Sequence, residues 1–129
     1  MLLTLAVALA APTPPAKLVA PSGEIGLHAA VTLSFTAPGV AWVDGCVPVE
    51  WERREAGTWV PVPREACAAQ KPATRVEGSL TLSQAPLAAG EYRAVMTWGA
   101  GCAPELPLRL GACKALDVVR SEPFRVKGT

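Results

Sequence analysis

The fold is decided by the stretch Ser79-Leu-Thr-Leu-Ser-Gln-Ala-Pro-Leu-Ala-Ala-Gly-Glu-Tyr-Arg-Ala-Val-Met-Thr-Trp98. In its first part, leucine alternates with serine or threonine, and this period of two predicts a strand with one buried face. In its last part, one face of a second strand collects Tyr92, Ala94, Met96 and Trp98. The stretch therefore predicts two half-buried strands joined by a proline-containing link.

Strand signals recur on both sides of this stretch and predict further strands at 30–36, 47–55, 58–62, 115–120 and 121–126. Pro38-Gly39 is expected to end the first of these, leaving a short edge segment at 40–43. Ala56-Gly57 is the expected turn of a hairpin, and Pro61 assigns its return strand to a sheet edge. Trp51 is the expected large aromatic of the core. The sequence thus predicts an all-β, antiparallel sandwich of about seven strands.

The N-terminal segment differs in composition from the rest of the 129 residues. Residues 1–10 are apolar and end in Ala8-Leu-Ala10, the pattern of a signal peptide, and they are too short to span a bilayer. Residues 11–21 are proline-rich and are expected to lead into the domain without joining its core. Residues 22–127 are the predicted domain, and no later segment is apolar enough to cross a membrane. We therefore expect a secreted or periplasmic protein.

The four cysteines predict two disulfides in an exported chain, and three connectivities are open in principle. Cys46 and Cys67 lie symmetrically about the Ala56-Gly57 turn. Cys102 and Cys113 lie symmetrically about a loop that leaves the strand of Tyr92. This symmetry favours two local bridges, Cys46–Cys67 and Cys102–Cys113. The spacing contains no close cysteine pair, so a zinc site is not expected and no cofactor is predicted.

The spacing Gly90-x-Tyr92 at the start of a strand is that of a tyrosine corner, in which the hydroxyl bonds to upstream backbone. Together with 49–62, the Leu80-Thr-Leu82 strand and the closing Ser121-Glu-Pro-Phe-Arg-Val126, it resembles bacterial immunoglobulin-like domains of exported proteins. The resemblance covers about 31–126. It implies an immunoglobulin-like β-sandwich. Ala94 stands where antibody domains carry a cysteine, so both expected disulfides lie outside the core.

The charge distribution and the scarcity of catalytic residue types argue against nucleic-acid binding and against enzymatic activity. The 12 Lys and Arg nearly balance the 11 Asp and Glu and are scattered, which does not favour nucleic acid as a partner. His28 is the only histidine and has no nucleophile motif beside it, so it is expected to lie at a strand end. Glu50 and Glu52 share a strand face with Arg54, an arrangement typical of a solvated sheet. Enzymatic activity is not expected.

Binding is the function that the sequence favours, with an unknown protein or glycan partner and a monomeric chain. Trp42, Trp59 and Trp98 exceed the number of tryptophans that such a core needs, so an exposed pair near Arg53 or Arg93 would form a binding platform. The segment closed by the second disulfide offers Leu106, Leu108 and Arg109. The leading hypothesis is a non-enzymatic binding or structural module. The alternatives are a secreted proteinase inhibitor presenting the Cys102–Cys113 loop and a carbohydrate-binding module using exposed tryptophan.

Overall fold

A computed structural model describes residues 16–64, 67, 71–102, 110 and 113–128. The predicted signal segment, residues 11–15 of the leader and the three loop residues Leu106, Leu108 and Arg109 lie outside these residues. The regular elements of the described chain are nine strands: β1 Lys17–Val19, β2 Glu24–Ile25, β3 Val31–Val43, β4 Glu50–Glu55, β5 Thr58–Pro61, β6 Thr74–Gln84, β7 Gly90–Cys102, β8 Cys113–Arg120 and β9 Phe124–Val126. None of the described segments is a helix of the length and apolarity that crossing a bilayer requires.

The nine strands belong to one curled sheet that forms an open half-barrel. One part consists of β3 with β1 and β6 on either side. The other part is ordered β5-β4-β7, with β8 and β9 both on the far side of β7. Every pairing is antiparallel except the short parallel pair of β2 with β9. Two residue pairs between β3 and β7, Trp42 with Gly99 and Val43 with Trp98, join the two parts.

The all-β class is confirmed, but the chain has more and longer strands than the alternation predicts. The prediction that Pro38-Gly39 ends a strand is wrong. A register shift against β6 between Thr36 and Val40 absorbs these residues as an irregularity, and β3 continues to Val43. Likewise, β7 does not end before Gly99 but runs to Cys102, where it pairs with Cys113.

The predicted leader contributes to the core, in contrast to the expectation for residues 11–21. Lys17–Val19 pair with β3 as strand β1, and the side chain of Leu18 is buried. A strand of three residues is too short to show a period of two, and the prolines on either side of it predict an irregular segment. The folded unit therefore includes residues 17–19, upstream of the predicted domain start at residue 22.

The core lies between the two parts of the sheet, and the two 13-residue strands β3 and β7 supply most of it. Its largest fully buried side chains are Phe35, Leu33, Met96, Val31 and Val43. Trp51 packs against this core from β4, edge-on to Phe124 with ring centroids 5.8 Å apart, although it remains partly exposed. Removing a large buried side chain such as that of Phe35 would cost about 3–5 kcal/mol.

Both predicted disulfides are present. Cys46–Cys67 links the loop after β3 to the loop before β6, and Cys102–Cys113 links the paired ends of β7 and β8. The hairpin turn at Ala56-Gly57 is present as predicted. Ala56 and Gly57 have φ values of 49° and 81°, the positive values that a two-residue type I′ hairpin turn requires.

The tyrosine-corner hydrogen bond is present as the sequence predicts. The Tyr92 hydroxyl donates to the carbonyl oxygen of Ala88 at 2.9 Å, and the ring of Tyr92 is buried against Phe124. The bond ties the link between β6 and β7 to the beginning of β7. The link and the strand are thus held in one geometry by a single side chain.

A second set of buried hydrogen bonds lies between β8 and β9, where Ser121 bonds to the backbone of β7. The main-chain N–H of Ser121 donates to the Ala94 carbonyl at 2.9 Å, and its hydroxyl accepts from the Ala94 N–H at 2.9 Å. The hydroxyl also donates to the Glu122 carbonyl. Ser121 is only 6% exposed, so water cannot replace these bonds without rearrangement.

Tyr92→Phe is expected to lower the free energy of unfolding by about 1 kcal/mol, the usual net value of one hydrogen bond. Urea denaturation followed by tryptophan fluorescence measures the change. The ring stays in place, so the slope of the transition should be unchanged. Equal stability of the two proteins would show that the corner bond contributes nothing.

Ser121→Ala is expected to lower the free energy of unfolding by about 1–3 kcal/mol, because the N–H of buried Ala94 is left without an acceptor. Ser83→Ala, at an exposed position of β6, is the matched control and should change stability by less than about 0.5 kcal/mol. Thermal and urea unfolding of the three proteins provide the comparison. A similar small loss in both variants would contradict the assigned role of Ser121.

Candidate functional site

The candidate site is the outer face of the sheet formed by β5, β4, β7 and β8. Along β4 the inward positions Val49 and Trp51 alternate with outward Glu50, Glu52 and Arg54. The register then places Trp59 opposite Arg54 and Arg93 opposite Glu52. On β8, the position opposite Val95 is Arg120. Hence five outward side chains from four strands form one group, which we call the arginine–tryptophan cluster: Glu52, Arg54, Trp59, Arg93 and Arg120.

Trp59 has two guanidinium groups over its ring. The Arg93 Cζ atom lies 4.6 Å from the ring centroid, and the Arg54 Cζ atom lies 5.6 Å from it. Both distances fall within the range of cation–π attraction, which contributes about 0.5–1 kcal/mol at an exposed site. The contacts of Trp59, which belongs to the edge strand β5, therefore stabilise its position on the sheet surface.

Glu52 is the only carboxylate of the cluster and serves two arginines. Its Oε1 atom lies 2.5 Å from Arg93 Nε and 3.5 Å from Arg120 Nε. The Glu52 side chain is 18% exposed and that of Arg93 is 26% exposed, so the pair is partly desolvated. With three arginines and one glutamate, the cluster carries an excess of two positive charges.

An aliphatic strip continues the same face along β8. Leu116 and Val118 point outward at alternate positions before Arg120, and they are 55% and 43% exposed. At one end of the strip, Gly99 of β7 lies opposite Leu116. A methyl group on Gly99 would come within 3.3 Å of the Leu116 side chain and within 2.6 Å of Cys113 Sγ. The Leu116 side chain thus lies close to the backbone of β7. Next to Val118 on the same face is Arg120, so exposed aliphatic side chains adjoin a positively charged one.

The structure separates the three tryptophans that the sequence singles out. Trp98 lies on the core side, with its ring centroid 6.4 Å from that of Phe35, and no described residue accepts a hydrogen bond from its buried indole N–H. Trp42 points outward from β3 opposite Gly99, six residues along β7 from Arg93, or about 20 Å from the cluster. Only Trp59 belongs to the cluster, so the predicted platform of two tryptophans is not formed.

Of the two arginines expected near a tryptophan, Arg93 is beside Trp59 and Arg53 is elsewhere. Arg53 donates from Nη2 to the Ala89 carbonyl at 3.0 Å and lies over Tyr92. The sequence does not reveal that Arg120, Leu116 and Val118 share a sheet face with Trp59. A signal exists in the alternation of Leu116, Val118 and Arg120, but placing it on the same face as β4 needs the long-range pairing of β7 with both β4 and β8.

The residues considered as catalytic candidates, Glu50, Glu52 and His28, do not lie together in one site. Glu50 pairs with Arg64 at 3.3 Å and Glu52 pairs with Arg93, so each carboxylate faces an arginine, as expected for a charged sheet surface. His28 is exposed in the turn before β3 with a φ of 73°. Within the described part of the chain, no group of three or more His, Cys, Asp or Glu residues could hold a metal ion.

Comparisons with known proteins do not assign the chain to a family: it matches no protein-family model and no curated protein sequence. Its function is therefore argued from the sheet, the disulfides and the outer face alone.

Glu52→Gln is expected to lower the free energy of unfolding by about 1–3 kcal/mol, between the effects known for exposed and for buried ion pairs, because two arginines lose their shared carboxylate. Glu50→Gln is the matched control on the same strand face. Its ion pair is more than half exposed on the carboxylate side, so it should cost less than about 0.5 kcal/mol. Urea unfolding in low and high salt measures both; equal effects would show that Glu52 does not organise the cluster.

Proposed function

We propose that this chain is an immunoglobulin-like domain of an exported protein and that it acts as a non-enzymatic binding module. The pairing order supports the fold assignment: β3 is flanked by β1 and β6, β4 by β5 and β7, and β7 is followed by β8 and β9 on its other side. The Tyr92 hydrogen bond to Ala88 is the tyrosine corner of such domains. The pairing of β3 with β7 is the departure from two separate sheets.

Two disulfides among the described residues support export, because such bonds persist in oxidising compartments. Each is local in sequence, with separations of 21 and 11 residues. Each therefore fixes a loop or a strand end rather than joining the layers of the core. We assign them a stabilising role in a secreted or periplasmic setting.

The binding assignment depends on one observation: the arginine–tryptophan cluster shares one sheet face with exposed Leu116 and Val118. Tryptophan and arginine are the residue types that most often dominate binding energy in interfaces. An exposed aliphatic strip rimmed by polar residues is typical of a contact surface. Because the cluster has two positive charges in excess, the complementary partner is a protein surface that presents carboxylates beside aliphatic side chains.

Selection of displayed peptides against the immobilised domain tests this function. We expect enrichment of sequences that combine Asp or Glu with aliphatic residues. Val118→Asp should weaken binding of those peptides by about tenfold or more, since it adds a repulsive charge to the strip. Val40→Asp is the matched control, because both valines are 43% exposed and Val40 lies outward on β3 in the other part of the sheet.

Three results would contradict the proposal. They are the absence of enriched peptides, enrichment of peptides without acidic residues, and equal loss of binding in the Val118→Asp and Val40→Asp variants. Circular dichroism of both variants confirms that the fold is retained before binding is compared.

A further inference from the structure

Strand β6 has one edge that no described residue pairs. On one side it pairs with β3 over its whole length, from Val31 with Gln84 to Val43 with Thr74. Among the described residues it has no partner on the other side, where alternate N–H and C=O groups point away from the sheet. Such an edge is a template for a further strand. With 11 residues, β6 is the longest of the nine described strands for which the described residues provide a partner on one side only.

The other edges carry features that hinder strand addition. On β6 the charged residues Arg75 and Glu77 lie in the first part of the strand, and the later part lacks such features. The edge strand β5 contains Pro61, which cannot donate to a new neighbour. Strand β1 has only three residues. Strand β8 carries Lys114, Asp117 and Arg120. By contrast, 78–84 of β6 is Gly-Ser-Leu-Thr-Leu-Ser-Gln, without a proline or a charge.

The core is also open beside this edge. Leu80 and Leu82 point inward opposite Phe35 and Leu33, which are completely buried, yet the two leucines are only partly buried. A strand added next to β6 would cover their exposed sides and would pair the free backbone groups at the same time. The loop that enters β6 is attached at the opposite end of the strand, where Thr74 pairs with Val43 and Cys67 is bonded to Cys46.

We propose that two copies of this chain pair through their β6 strands, antiparallel and about a twofold axis, to form one continuous sheet. The segment suits a copy of itself. If Thr81 lies opposite Thr81 of the second copy, Ser79 meets Ser83 on the outer face and Leu80 meets Leu82 on the core side. No like charges are opposed in this register, and threonine pairs across strands are favourable. A net charge of +1 adds little repulsion between copies.

This dimer goes beyond the proposed function and differs from the monomer expected from the sequence. It leaves the arginine–tryptophan cluster and the aliphatic strip free, because both lie in the part of the sheet that contains β4, β7 and β8. Each dimer would therefore present two copies of the proposed binding face. The two proposals stand or fall separately, since one depends on β6 and the other on β8.

Sedimentation of the oxidised protein up to about 500 μM, where even weak association is detected, tests the dimer. We expect a concentration-dependent dimer in the unmodified chain. Thr81→Lys should abolish it, because two lysines would then lie directly opposite each other. Thr58→Lys, at an exposed position of the edge strand β5, adds the same charge and should dimerise like the unmodified protein.

Thr81→Cys gives a second readout that does not depend on affinity alone. Residues directly opposite on antiparallel strands have Cα atoms about 4.5–5.5 Å apart, within the range that a disulfide can bridge. Mild oxidation should link two copies through this position, as peptide mapping by mass spectrometry would show, and Thr58→Cys should not link. A monomer at every concentration, or a dimer that Thr81→Lys leaves intact, would overturn the proposal.

Discussion

The pairing of Trp42 and Val43 with Gly99 and Trp98 is the constraint on which the rest of the structure depends. It ties the two longest strands together, and these strands contribute the most deeply buried side chains to the core. Through it the sheet curls on itself, and one core serves both halves. The contacts are far apart in sequence, so the chain must close a long loop before the core can form. Local elements such as the β4–β5 hairpin can add to this frame but cannot replace it.

The surfaces available for binding are those that the curled sheet leaves exposed. The curled sheet turns its apolar side inward, and its outer side displays the side chains that alternate with the core positions. On β4 these are charged, on β7 they include Glu91 and Arg93, and on β8 Leu116 and Val118 lie between Lys114 and Arg120. The cluster around Trp59 arises because four strands contribute one or two outward residues each. It is a property of the strand order rather than of any short motif.

The sequence predicts the local features well and the long-range ones poorly. Regular alternation locates the strands of Leu80 and Tyr92, and the Ala56-Gly57 turn sets the hairpin register, because these signals lie within a few residues of each other. The irregularity around Pro38 and the short strand of Leu18 escape prediction, since tertiary pairing overrides a proline signal in one case and completes a three-residue strand in the other. The contact of Arg120 with Glu52 escapes for the same reason: Arg120 joins the cluster only through the pairing of β7 with β8.

The close approach of Gly99 to the second disulfide limits which residues position 99 can hold. The space that a side chain at position 99 would need is already occupied by Cys113 Sγ. A larger residue there and the bridge between Cys102 and Cys113 are therefore mutually exclusive, unless the hairpin of β7 and β8 opens. Position 99 thereby sets the room for the second disulfide: a side chain there would have to displace Cys113 and the end of the hairpin of β7 and β8.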